Sequence, residues 1–96
     1  MPDSRTSDTV AIRLVYLARL REAFGSAGEL LTLPPSGEPS TVATVLGQLR
    51  ERGGPFAAEL AQGRAVRIAV NHSLAAVEAV LHDGDEVALF PPVTGG

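Results

Sequence analysis

The 96-residue chain is long enough for one domain with a modest core and too short for two. Its apolar share of 45% and charged share of 20% are ordinary for a globular protein, and no apolar run approaches the roughly 18 residues of a membrane span. A net charge of −3, scattered arginines, and the absence of lysine and cysteine leave no stripe for nucleic acid, no side-chain amine for a Schiff base, and no thiol for a disulfide, a persulfide or a thiolate metal site.

Residues 1–9 are polar and mixed in charge, without the apolar segment of a signal peptide, and read as a flexible tail on a cytoplasmic protein. Residues 10–18 form the first strand. Val10, Ile12, Leu14 and Tyr16 share one apolar face, while Val15 and Leu17 share the other with Arg13 and Arg19. One helical turn at 20–24 and the glycines Gly25 and Gly28 lead into a second strand at 29–33, close enough for an antiparallel hairpin. Pro34, Pro35, Gly37 and Pro39 make a connector. Ser40 or Thr41 caps a helix over 41–52 whose buried stripe is Val42, Val45, Leu46 and Leu49. Arg50 and Arg52 suit its C-terminal dipole, and Gly53-Gly54-Pro55 stops it.

A short helix over 56–61 ends at Gly63. Arg67–Val70 is a strand, Asn71-His72 a turn, and 74–77 a short strand or extended piece. Asp83-Gly84-Asp85 makes a tight turn before the last strand, Glu86–Phe90, which Pro91-Pro92 stops. Strand, strand, helix, then strands describes an α+β roll, a sheet wrapped on one main helix. The domain spans residues 10–92, with a functional tail at 93–96.

From the last turn onward the sequence reads Asp-Gly-Asp-Glu-Val-Ala-Leu-Phe-Pro-Pro-Val-Thr-Gly-Gly, residues 83–96. Together with Ala18-Arg19-Leu20-Arg21-Glu22 and Ala69-Val70-Asn71, it resembles the small subunit of molybdopterin synthase, a β-grasp, ubiquitin-like family of sulfur carriers. The resemblance covers residues 10–96 and is strong in the last fourteen. It implies a mixed sheet packed on one main helix, with the first and last strands adjacent and parallel.

It also implies a mechanism. An activating enzyme adenylylates the terminal carboxylate of Gly96 with ATP, and a sulfur donor converts the adenylate to a thiocarboxylate. The tail then enters the large, catalytic synthase subunit, in a heterotetramer, and delivers sulfur to cyclic pyranopterin monophosphate. The chain itself binds no cofactor and holds no complete active site. The residue types suit that task. A terminal carboxylate is ionised at neutral pH. Gly95 and Gly96 carry no side chains to obstruct a channel. Pro91 and Pro92 end sheet pairing, and Val93 and Thr94 complete an extended reach of about 13 Å from Pro92. The plainer alternative is an inert, disordered terminus.

Alternation places Val87 and Leu89 toward the helix and Phe90 outward, beside Val15 and Leu17. Phe90, Pro91, Pro92, Val93, Thr94, Val15 and Leu17 are therefore the candidate partner surface; the alternative folds Phe90 back over the core edge. Asp83, Asp85 and Glu86 lack the spacing of a calcium loop and read as turn residues, so no metal site is expected. His72 and His82 read as surface residues. Two other functions stay open: a carrier for another pathway, such as thiamine thiazole synthesis, and a ubiquitin-like modifier.

Overall fold

Strand β1 (Val10–Tyr16) shows the expected alternation: Ile12, Leu14 and Tyr16 are buried, Ala11 and Arg13 exposed. A computed structural model describes residues 9–33, 38–61 and 63–92 of the chain. The expected N-terminal tail, most of the proline-rich connector, and the tail residues Val93, Thr94, Gly95 and Gly96 lie outside the described residues. After β1 come α1 (Arg19–Phe24), β2 (Gly28–Leu33), α2 (Val42–Glu51), α3 (Gly54–Glu59), β3 (Arg67–Val70), β4 (Ser73–Leu74) and β5 (Glu86–Phe90).

The strands form one mixed sheet in the order β2-β1-β5-β3-β4. β1 and β5 run parallel at its centre, and every other pairing is antiparallel. A parallel pair so far apart in sequence requires a long crossover, which the helical segment supplies. Ile12, Leu14, Tyr16, Leu33, Ile68, Val87 and Leu89 from the sheet and Val42, Val45 and Leu49 from α2 make one core, closed by Leu20, Leu60 and Leu81. This is the expected β-grasp roll.

Thr41, not Ser40, caps α2. Its hydroxyl accepts from the Thr44 N–H, and the Thr44 hydroxyl accepts from the Thr41 N–H at 3.1 Å, closing a capping box. Gly28 is fixed by a close approach: a Cβ there would collide with the Leu14 carbonyl oxygen across the hairpin.

The sequence reading needs four corrections. Leu46 is half-buried, because Val42, Val45 and Leu49 point straight at the sheet and the next position around the helix falls on the flank. Gly53-Gly54-Pro55 ends α2 but also begins α3 at Gly54 instead of at 56, since proline fits the first turn of a helix. β1 stops at Tyr16, because Ala18 turns to φ 54°. The short strand or extended piece expected over 74–77 is a two-residue strand that begins one residue earlier, Ser73–Leu74.

Candidate functional site: the root of the C-terminal tail

β5 carries the tail, and both neighbours position its end. Phe90 stands across from Arg67 of β3, and Ala88 lies between Val15 of β1 and Ala69 of β3. The Leu17 N–H donates to the Leu89 carbonyl at 3.1 Å, extending the parallel ladder one step beyond β1. Leu17 therefore flanks Phe90, as alternation required. Residues paired across a sheet share a face, so Leu17, Phe90, Val15 and Ala88 lie together on the face opposite α2. Phe90 and Val15 are half-buried and Leu17 is exposed. Phe90 is not among the partly buried side chains packed against the core, so it does not fold back over the core edge. Pro91 and Pro92 follow, half-buried, at the point where pairing stops.

The same face bears two leucines that the sequence reading passed over. Leu74 is 69% exposed and pairs with Ala69, on the row that continues through Ala88 to Val15. Leu30 is 75% exposed and pairs with Arg13. Leu30 was legible in principle, since it alternates with Glu29 and Leu31. Leu74 had no such signal, because a two-residue strand has no period. The result is a broad apolar strip, rimmed by Arg13, Arg67 and Glu86, that no helix among the described residues covers. Exposed apolar area of this kind on a small domain marks an interaction surface.

Behind the sheet the site rests on a rigid polar staple. Arg52 at the end of α2 donates to both carboxylate oxygens of Glu29 at 2.8 Å, and the Tyr16 hydroxyl donates to Glu29 Oε2 at 2.5 Å. The guanidinium holds the Glu29 carboxyl below its usual range, and burial, with Glu29 beside it, pushes the Tyr16 phenol well above its own. Tyr16, Phe24 and Phe56 form an aromatic cluster, Phe24 stacked on Phe56 at 4.2 Å, with Arg52 over the Phe56 ring. Glu29 and Arg52 are far apart in sequence, so nothing local announced the pair.

The carboxylates of the 83–86 turn serve the fold. Asp83 accepts from the Ala11 N–H at 2.8 Å; Asp85 accepts from the His82 N–H at 2.8 Å and from the Asn71 side-chain amide at 2.9 Å. These donors hold the Asp85 carboxyl below the usual range. Among the described residues no group of three or more potential ligands could hold a metal ion, and no helix is long and apolar enough to cross a membrane.

Residues 14–96 match the model of the ThiS family. The chain is 36% identical over 86 residues to the molybdopterin synthase sulfur carrier subunit of Escherichia coli, covering 88% of this chain and 99% of that protein. It is 32% identical over 85 residues to the protein of the same name from Haemophilus influenzae, again covering 88% and 99%. Among solved structures it is similar to small archaeal modifier protein 1 of H. volcanii, with a TM-score of 0.67 and 27% identity over 88% of this chain and 99% of that one.

Proposed function

The chain belongs to the ThiS family, and on that premise we propose that it is the sulfur carrier subunit of a molybdopterin synthase. The observation that carries this reading is its kinship, along nearly the whole length of the relatives, with proteins of that name. The geometry supports it: the central strand β5 ends at Phe90, shortly before the Gly95-Gly96 terminus in sequence and beside exposed apolar side chains.

The Gly96 carboxylate attacks the α-phosphate of ATP on the activating enzyme, releasing pyrophosphate and leaving an acyl adenylate. A sulfur donor displaces AMP and leaves a thiocarboxylate. The tail then enters the large synthase subunit and gives up its sulfur to cyclic pyranopterin monophosphate, returning as a carboxylate. Phe90, Val15 and Leu17 bind the partner, Pro91 and Pro92 aim the tail, and Val93 and Thr94 extend it. The chain supplies the reacting terminus and its partners supply the catalysis, in the cytoplasm, where ATP is available. Incubation with activating enzyme, ATP and a sulfur donor should raise the intact mass by the difference between sulfur and oxygen, at Gly96. An unchanged mass, with the activating enzyme proven active on another carrier, overturns the proposal.

The likeness to a small archaeal modifier protein favours one second reading, a tag joined to lysines of other proteins. Denaturing pull-downs separate the two, since a tag remains covalently attached to target chains and a carrier does not.

A further inference from the structure

The helical side of the sheet carries an apolar opening that the core does not fill. Leu46 and Arg50, one turn apart on α2, stand beside Leu60 just after α3, Val66 ahead of β3 and Ile68 of β3. Val77, in the strap between β4 and β5, completes the ring around a pocket of about 180 Å³. Leu60 and Ile68 are its buried floor; Leu46 and Val66 are half-buried walls, and Val77 is 40% exposed. Hydrogen bonds hold the walls in place. The Val42 and Ala43 N–H groups donate to the carbonyls of Ala79 and Val77, at 3.0 and 2.9 Å, tying the strap to the first turn of α2. Arg50 Nη1 donates to the Leu60 carbonyl at 3.1 Å, tying α2 to the end of α3.

The guanidinium fixed by that bond borders the pocket and makes no ion pair with another described residue, so most of its N–H donors are uncommitted. Arg64 borders it too, and shares Glu59 Oε1 with Arg19, at 2.9 and 3.2 Å, so that one carboxylate answers two cations. No carboxylate lines the pocket among the described residues. Aliphatic walls beside unanswered positive charge suit an apolar body with a carboxylate next to it. Size narrows the choice. A dry cavity of about 150 Å³ holds one benzene ring, whereas sites for metabolites and cofactors begin near about 300 Å³. The occupant is therefore a single side chain.

We propose that this pocket is a second docking site, which takes one phenylalanine or leucine side chain of a partner protein and pairs an adjacent carboxylate of that partner with Arg50. Single anchors seated in a pocket carry much of the energy of protein interfaces. A nucleotide fits less well, because its base stacks on aromatic rings and none lines the pocket among the described residues. The site lies apart from the apolar strip. Ile68 faces the core from β3, while its neighbour Ala69 lies in the row of Leu74 and Ala88 on the uncovered face. Pocket and strip are therefore on opposite faces of the sheet, and a partner on one leaves the other open. Binding here does not depend on what the tail carries.

The test titrates the full chain with acetyl-Glu-Phe-Glu-amide and follows its backbone and methyl signals by NMR. Saturable shifts should centre on Leu46, Val66, Ile68 and Val77, at peptide concentrations on the order of millimolar. Acetyl-Gln-Phe-Gln-amide should bind on the order of fivefold more weakly, as should the first peptide to Arg50→Gln, and high salt should narrow both gaps. Acetyl-Glu-Ala-Glu-amide should not bind. The peptide comparison needs no change to the protein, so it holds even where Arg50→Gln disturbs α2. Equal binding of the two phenylalanine peptides would overturn the pairing with Arg50, and equal binding of the alanine peptide would overturn the apolar anchor. Shifts centred on Leu17, Leu30 and Leu74 would move the peptide to the uncovered face and overturn the pocket. So would tighter binding of AMP at the same residues, or no saturable shift at any residue.

Discussion

The two ends of β5 are built in opposite ways. At its start, the Glu86 N–H donates to the Asn71 side chain, Asp85 draws in His82 and Asn71, and Asp83 and Gly84 clasp Ala11 of β1. Arg13 and Asn71 add backbone bonds to Asp85 and Glu86. At its end, the Leu17 N–H donates to the Leu89 carbonyl on the β1 side, and two prolines without N–H groups follow. One strand is thus locked at one end and handed off at the other. A carrier needs both: a tail can be threaded into a partner only if its root is held still.

The sharpest way to break this comparison is at the outgoing end. Deleting Gly95-Gly96 should abolish sulfur delivery, since the carboxylate would fall short by about 7 Å of extended chain. Thermal unfolding should barely move. A truncated protein that still delivered sulfur would end the carrier mechanism. One step inward, Phe90→Asp should weaken binding to the large subunit by roughly 2 to 4 kcal/mol, as a charge replaces an aromatic anchor. Urea unfolding should stay near wild type, because Phe90 does not pack on the core. Undiminished binding in titration calorimetry would remove Phe90 from the interface.

The locked end should respond in the reverse sense. Asp85→Asn removes the charge from the acceptor of two hydrogen bonds and should cost about 1 kcal/mol in urea, with sulfur delivery intact. Its pH dependence has a defined sign. The folded carboxyl titrates below its unfolded value, near about 3.9, so its contribution is present above that pH and lost as pH falls through the folded value. The gap between wild type and Asp85→Asn should therefore hold at pH 6 and narrow below pH ~4. A gap that widened in acid would contradict the sign.

What the sequence disclosed and what it withheld divide along similar lines. The alternation of β1, the turn at Asp83-Gly84-Asp85 and the stripe Val42, Val45, Leu49 are local patterns, and each appears where periodicity and turn chemistry put it. Phe90 beside Leu17 was legible because parity carries across neighbouring strands. Misreadings arose where one residue serves two neighbours: Pro55 opens a helix in the place expected to close one. Leu46 sits one position off the inward line, where apolar character alone does not separate core from flank. The Tyr16–Glu29–Arg52 staple was invisible, because it is a product of topology.

The smallest expected effect sharpens the contrast in backbone strain. Near the locked end the residues at positive φ are Asn71, His72 and Gly84, and asparagine and glycine adopt that region at little cost. At the outgoing end the non-glycine residue at positive φ is Ala18, at φ 54° and ψ −131°, where a Cβ is poorly tolerated. Ala18 is exposed, so its methyl group returns little packing for that conformation. Relief of strain should stabilise Ala18→Gly by about 1 to 3 kcal/mol, while the added freedom of the unfolded chain takes back roughly 0.4 to 1. The net gain should be about 1 kcal/mol, read as a higher urea midpoint with an unchanged slope. Loss of stability would mean that the Ala18 methyl packs after all. A gain accompanied by slower adenylylation would show that the strained turn after Leu17 helps present the tail root to its partner.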